Sequence, residues 1–322
     1  MSPPAVTVIV VSFRSRTELP DCLSSIAVQS GVAADTWVVD NASDDGSAAL
    51  VAARFPATHL VANRDNVGFA AANNQVLANL ATPYVALVNP DAVLPPTALA
   101  TCVAYLEQHA DVGAVATRLV HADGSHHPSC FGFLTLVNLF GETVGLDLLF
   151  PDSPLGSYRR RRHDRTRVVE ADWIQGAFFV TRARVCREVG IFDPDYFMYG
   201  EEMDWCYRMR AAGWRVVRLP EPPVVHIGGV SSGTMPGPLF VELLKSRVRF
   251  LAKHRGAAAT FVGRGLIAIS VLIRATWWGG RRLFDRGPLT EQRVTMFAAA
   301  LRWVAAGLPL SPPPFLAPRT PS

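Results

Sequence analysis

The chain has 322 residues, 49% of them hydrophobic and only 18% charged, with a formal net charge of +4, against about 25% charged residues in an average soluble protein. Such a chain can bury a sizeable core in one large domain, or a domain with an appendage, and still leave apolar surface over. The weak positive charge does not argue for nucleic acid but suits anionic ligands, nucleotide diphosphates or an anionic membrane surface.

Cys22, Cys102, Cys130, Cys186 and Cys206 include no C-x-x-C pair. This argues against a structural zinc site or a disulfide framework and for small buried side chains in a reducing compartment. The N-terminal "MSPPAVTVIVVSF" lacks a basic segment and reads as a first strand rather than a signal peptide.

In chain order, the β-branched run Val6 to Phe13 predicts a strand buried on both faces. Leu19 to Gln29 has helical spacing, with Leu19, Cys22, Leu23 and Ile26 on one stripe. Further strands are expected at Thr36 to Val39, His59 to Ala62, Tyr84 to Val88 and Val112 to Thr117. Helices are expected at Ala48 to Phe55, Gly68 to Leu80 and Pro96 to His109. This alternation implies a mostly parallel sheet. Three successive strands end in polar stretches, "DNASDDGS", "NRDNVGFAAANN" and "NPDA".

From Ala122 to Glu170 the pattern loosens, and Arg159 to Arg165 form a charge run, read either as a solvated loop or as a contact to diphosphate or lipid headgroups. Trp173 to Thr181 reads as one strand and Arg182 to Val189 as a helix ended by Gly190. An acid-rich helix starts in "YGEEMDW", and "RVVRLPEPPVVHIGG" gives a strand, a proline break and a final strand. Leu239 to His254 is an amphipathic basic helix. Phe261 to Leu283 is apolar but carries Arg264 and Arg274, so it makes a poor spanning helix. It reads either as an interfacial helix or as one packed on the core. A Pro-rich tail follows.

Each polar stretch has two readings. "ALVNPDAVL" is either a strand-ending turn or a strand-tip carboxylate, Asp91, placed to hold a divalent cation beyond the carboxyl end of a sheet. Asp40 and Asn41 either bind a base or ribose or belong to a helix cap. Gly68 permits close backbone approach to a phosphate or sugar; neither a Walker A loop nor GxGxxG is present. The acids Glu201, Glu202 and Asp204 either favour a helix N-terminus or raise one another's pKa enough to supply a general base. His226 ends a strand as a structural residue or as a ligand.

Taken in order, "VIVVSFRS", "VVDNASDDGS", "NVGFAAANN", "ALVNPDA", "GAFFVTRARVCREVGIFD", "YFMYGEEMDWCYRMRAAGW" and "VVHIGG" resemble family-2 glycosyltransferases, nearest to the bacterial rhamnosyltransferases of cell-wall and surface-glycan synthesis. The resemblance covers about residues 5 to 232. It implies an α/β GT-A fold, a Rossmann-like, mostly parallel sheet flanked by helices, over residues 1–235. A helical, membrane-associating extension is expected over 236–308 and the tail over 309–322. It also implies a nucleotide-sugar donor and inversion at the anomeric carbon.

Carried over residue by residue, the resemblance assigns donor binding to Ser12, Arg14, Asp40, Asn41, Asn66, Gly68, Asn74, Asn89 and Asp91. Asp91 and His226 hold Mg²⁺ or Mn²⁺; Asn89 replaces the first acid of the metal motif, which weakens metal binding. Glu202 takes the place of the catalytic base, where the family more often has Asp, with Asp204 as the rival and Glu201 beside them. Trp173, Gly176, Ala177 and Phe178 line the acceptor pocket. The expected donor is dTDP-rhamnose, with UDP-galactofuranose, UDP-glucose and UDP-GlcNAc as alternatives. The acceptor is lipid-linked or a polysaccharide, at the cytoplasmic face of the membrane. Nucleic acid is not expected as a partner. A nucleotidyltransferase or a non-catalytic binder are the competing classes.

Overall fold

The computed structural model describes residues 6–156, 166–228, 235 and 237–311; the Arg159–Arg165 run, Gly229 and most of the Pro-rich tail lie outside the described residues. The first part of the chain alternates β1 (Val6–Ser12), α1 (Leu19–Ala27), β2 (Ala34–Asp40), α2 (Ser47–Arg54), β3 (His59–Ala62), α3 (Phe69–Leu77), β4 (Tyr84–Val88), β5 (Ala92–Val93), α4 (Ala98–Gln108) and β6 (Val112–Val120). After it come β7 (His126–His127), β8 (Cys130–Phe131), α5 (Leu136–Val144), α6 (Leu146–Leu149), β9 (Val169–Glu170), β10 (Trp173–Ile174), β11 (Phe178–Arg182) and α7 (Ala183–Val189). The chain continues with α8 (Glu201–Ala211), β12 (Arg215–His226), α9 (Gly237–His254), α10 (Gly256–Arg281) and α11 (Pro288–Ala305).

The main sheet runs β3-β2-β1-β4-β11-β6-β12-β5. It is parallel from β3 to β4 and again between β6 and β12. β11 lies antiparallel between β4 and β6, and β5 antiparallel to β12. β1 is buried at every position. Because side chains alternate across a strand, Val6, Val8 and Val10 pack with α1 and α4, while Ile9 and Val11 face α3 and α8. β1 pairs with β2 on one side and β4 on the other, so the strand order reverses at β1. In open α/β sheets this switch point opens the ligand crevice beyond the carboxyl ends of the strands. The register sets Ser12 opposite Asp40 and Val10 opposite Val88, which brings three of the polar stretches to one edge.

The expected strand over Trp173 to Thr181 is two. β10 pairs with β8, and the chain turns at Gln175-Gly176-Ala177 before entering the main sheet. The proline break in the last strand lies inside one continuous strand, β12, as a register irregularity between Leu219 and Val224 around a cis Glu221–Pro222 bond. The loose region holds α5, which starts at a capping box. The Thr135 hydroxyl accepts from the Asn138 N–H at 3.2 Å, and the Asn138 side chain accepts from the Thr135 N–H at 3.0 Å. All five cysteines are free and buried.

Candidate active site

A cleft of about 450 Å³ opens over the carboxyl ends of β1 and β4, the size of a small-molecule site. Asn41, Asn66, Asn89 and Asp91 line one side; Trp173, Glu201 and Glu202 line another, with His226 and Gly228 between.

On the donor side, Asp40 is buried at the tip of β2. One carboxylate oxygen accepts from the Ser43 N–H at 2.9 Å, and the other, Oδ1, is buried without a partner. One oxygen is thus committed to the loop and one is not, while the N-cap of α2 itself, Gly46, receives no side-chain bond. The Asn41 amide donates to the Gly68 carbonyl and accepts from Asn63. Asn66 Oδ1 accepts from the Gly68 N–H at 3.0 Å. Gly68 has φ +86°, and a Cβ there would lie 2.4 Å from the Phe197 carbonyl oxygen, so only glycine fits. Arg14 sits on the cleft rim with its guanidinium on Asp44, both contacts at 2.7 Å.

One donor assignment is corrected. Asn74 points away from the cleft, donating to the Phe192 carbonyl at 2.8 Å and accepting the Phe192 N–H at 3.1 Å, a brace between α3 and the segment before α8. Ser12, like Asp40 opposite it, is buried and outside the cleft wall, and its hydroxyl too is without a partner.

Asn89 and Asp91 follow β4, and Asn89 is fixed there by donating its N–H to the Ala177 carbonyl at 3.0 Å. Asp91 Oδ2 accepts from the Gly228 N–H at 2.9 Å, and Oδ1 lies 3.2 Å from His226 Nε2. Burial acts to raise the Asp91 pKa, but His226 and the Gly228 N–H outweigh it and hold the carboxyl below its ordinary value.

Behind His226 stands His127, which the sequence reading had passed over. His127 Nδ1 is 3.1 Å from the Pro128 carbonyl oxygen, an acceptor only, so Nδ1 carries the proton. Burial, then the neighbouring His226, lower His127 to about 4, so the ring is neutral and its Nε2 accepts. The hydrogen-bond network therefore assigns the proton between the rings, across 3.1 Å, to His226 Nδ1. His226 Nε2 then faces the Asp91 carboxylate, with the Asn89 amide 3.3 Å away. The position between this nitrogen and the carboxylate suits positive charge, a proton on the ring or a cation in its place. An imidazole and a carboxylate are a fitting pair of donors for a divalent metal. Among the described residues no group of three such ligands is present, so a metal there would draw its remaining ligands from phosphate oxygens and water.

Helix α8 supplies the opposite wall. Glu202 Oε1 accepts the Gly176 N–H at 3.0 Å, which explains the glycine: a Cβ there would lie 2.8 Å from that oxygen. Glu201 is almost fully buried, and its Oε2 has no partner. Burial first, then the charge of Glu202, push its pKa well above the carboxylate range.

Asp204 is placed elsewhere. It is fully buried and ringed by Arg208 Nε at 2.9 Å, Lys253 at 2.9 Å and His254 Nε2 at 2.7 Å. Burial opposes its ionisation, yet His254, Arg208 and Lys253 win and keep its pKa low. A carboxylate so saturated cannot serve as a base, so the rival assignment is corrected: Asp204 ties α8 to α9. Of the acceptor candidates, Trp173 lines the cleft, held by its Nε1–H to the Gly132 carbonyl at 2.8 Å. Gly176 lies against Glu202, and Ala177 and Phe178 are core residues at the start of β11. Gln175, Tyr199 and, from α9, Leu243, Ser246 and Arg247 line the cleft as well. The sequence carried only a weak signal for them, since α9 reads as an amphipathic helix like any other.

Residues 3–235 match the model of the family described as "Glycosyltransferase like family 2". The chain belongs to that family. This glycosyltransferase is 26% identical over 292 residues, 85% of its own length and 95% of the other, to an N-acetylglucosaminyl-diphospho-decaprenol L-rhamnosyltransferase of Mycobacterium tuberculosis. It is 34% identical over 84 residues, 26% of the chain and 32% of the other, to the rhamnosyltransferase WbbL of Escherichia coli K12. Its fold is similar to that of a Pyrobaculum calidifontis mannosyltransferase solved with GDP-Man and Mn²⁺, with TM-score 0.54, 18% identity, and coverage of 95% of this chain and 87% of that one. The GT-A fold expected of the glycosyltransferase is thus the one observed.

Proposed function

We propose that this glycosyltransferase transfers L-rhamnose from dTDP-rhamnose, with inversion, to a polyprenyl-diphosphate-linked N-acetylglucosamine at the cytoplasmic face of the membrane. One observation carries the reading. A single cleft sets the Asn89–Asp91–His226 cluster across from the Glu201–Glu202 pair, an anion-holding wall facing a proton-taking one. The rhamnosyltransferases among the relatives support the sugar and the lipid-linked acceptor.

The chain's own residues divide the work. Asn41, in the cleft wall, receives the nucleoside, with the unpartnered oxygen of the buried Asp40 beside it in the chain. Asp91 and His226 Nε2 would hold Mg²⁺ or Mn²⁺, which would draw off the charge that builds on the leaving diphosphate. Glu202, oriented by the Gly176 N–H, takes the proton from the acceptor hydroxyl. The freed oxygen attacks the anomeric carbon from the face opposite the nucleotide, and the bond to the diphosphate oxygen breaks as the new one forms. Burial raises the Glu201 pKa, which favours placing the negative charge of the pair on Glu202. Trp173 offers an apolar face to the acceptor sugar.

The test is turnover across a panel of nucleotide sugars with a polyprenyl-diphosphate N-acetylglucosamine analogue, with Mn²⁺ and then with chelator. The expected result is turnover with dTDP-rhamnose that chelation abolishes. Preference for a UDP-sugar would overturn the rhamnosyl assignment, and turnover that survives chelation would remove the metal.

A further inference from the structure

The exposed apolar side chains are concentrated. Val137, Phe140 and Val144 stand out from α5, and Leu148 and Leu149 from α6. Val262, Ile269, Ile273 and Trp277 stand out from α10. Their placement follows from how α5 and α10 meet. Gly263 packs beside Leu136 and Leu139, the Thr143 hydroxyl reaches the Leu266 carbonyl at 3.3 Å, and Arg274 reaches the Glu142 carbonyl. The earlier α5 residues meet Gly263 and the later ones, Glu142 and Thr143, meet Leu266 and Arg274 further along α10, so the two run parallel. Val137, Phe140 and Val144 each follow by one residue the α5 positions Leu136, Leu139 and Thr143 that face α10, a rotation of about 100°. Val262 and Ile273 each precede by one residue the α10 positions Gly263 and Arg274 that face α5, about 100° the other way, and Ile269, four residues before Ile273, lies on the same stripe. For parallel helices packed face to face, opposite rotations bring the two flanks to the same side. The result is one apolar ridge built by two helices far apart in sequence.

The same contacts dispose of the interrupting arginines. Arg264 is drawn back to the Gly307 carbonyl, and Arg274 to Ser270 and Glu142, so neither charge interrupts the outward face. α10 is long and apolar enough to cross a membrane, but contacts with α5, α9 and α11 hold one face of it against the protein. That is the geometry of a helix lying in a surface. α10 carries no acid and closes on a Trp pair and Arg281, as interfacial helices do. The ridge also borders the cleft: Arg247, in the cleft wall, pairs with Glu142 of α5 at 2.8 Å.

We propose that α5, α6 and the outward face of α10 form a bilayer-docking surface that sinks into the interfacial layer of an anionic membrane and holds the adjoining cleft at the height of a lipid-borne acceptor. This deepens the lipid-linked acceptor reading and rests on it. The test is flotation of the full chain with phosphatidylglycerol-phosphatidylethanolamine vesicles free of acceptor. The wild type is compared with the triple variant Phe140→Asp/Ile273→Asp/Trp277→Asp and with Val28→Asp, an exposed apolar site elsewhere. Wild type and Val28→Asp should float, and the triple variant should lose at least about a hundredfold in partitioning while turning over a water-soluble short-chain acceptor as the wild type does. A wild type that stays in solution, or a triple variant that floats like it, would overturn the proposal. So would a wild type that ignores vesicles but self-associates through the ridge. Vesicle binding without turnover of any lipid-linked acceptor would support the docking surface while removing the acceptor reading.

Discussion

The two faces of α8 carry carboxylates of opposite condition. Toward α9, Asp204 is buried and saturated by three cationic or hydrogen-bonding partners. Toward the cleft, Glu201 is equally buried but keeps an oxygen without a partner, and its neighbour Glu202 accepts the Gly176 N–H. Burial alone therefore does not mark a working carboxylate. A buried charge with its valences filled is architecture; one with valences left over is waiting for substrate or a proton. The donor edge repeats the lesson, since Asp40 has one oxygen committed to the loop and one unpartnered.

The contrast can be broken by substitution. Glu202→Gln keeps the shape and removes the base, so turnover should fall by about 10²–10⁴ while donor binding, read by calorimetry, stays within twofold of the wild type by about the same reasoning that binding and chemistry separate here. Asp204→Ala strands Lys253, His254 and Arg208 around an empty partner position, so denaturant unfolding should show a loss of about 3–5 kcal/mol. The low Asp204 pKa means that this stability is present above the ordinary carboxylate range and lost as pH falls through it. Wild type should therefore lose its advantage over the variant in acid.

A smaller effect is expected at His127. His127→Phe removes the acceptor that fixes His226, so Mn²⁺ affinity measured by electron paramagnetic resonance should drop about 10–100-fold. His127→Gln, which retains an acceptor oxygen, should recover part of it. Equal loss in both variants would mean that the ring only fills space. The smallest effect concerns Glu201. Its raised pKa makes folding favour the protonated form, so its contribution is complete below the unfolded carboxylate value and is lost as pH rises. Glu201→Gln should flatten that decline and melt higher than wild type near pH 8, by about 1–3 kcal/mol of stability.

Much of the donor half was legible in the sequence because each strand there is a short β-branched run closed by a polar stretch. β3 and β4 fall where the pattern put them, and β1, β2 and β6 differ only at their ends. The parallel arrangement then brings those ends together. The rest was not legible, for physical reasons. Whether Asn74 faces a ligand or the Phe192 backbone depends on a segment 118 residues away, and Asp204 finds its partners on α9, 49 and 50 residues on. His127 gains meaning only when β7 pairs with β6 beside β12. The α5–α10 ridge joins two segments whose separate apolar patterns read as a loose region and an interrupted helix.

The most direct test measures turnover at saturating donor and thermal melting on the same preparations of Glu202→Gln and Asp204→Asn. If the cleft face of α8 is chemistry and the α9 face is architecture, Glu202→Gln loses rate and keeps its melting point, whereas Asp204→Asn loses melting point and, while still folded at low temperature, keeps most of its rate. A folded, stable Asp204→Asn that is inactive beside an active Glu202→Gln would contradict that division and return the base to Asp204.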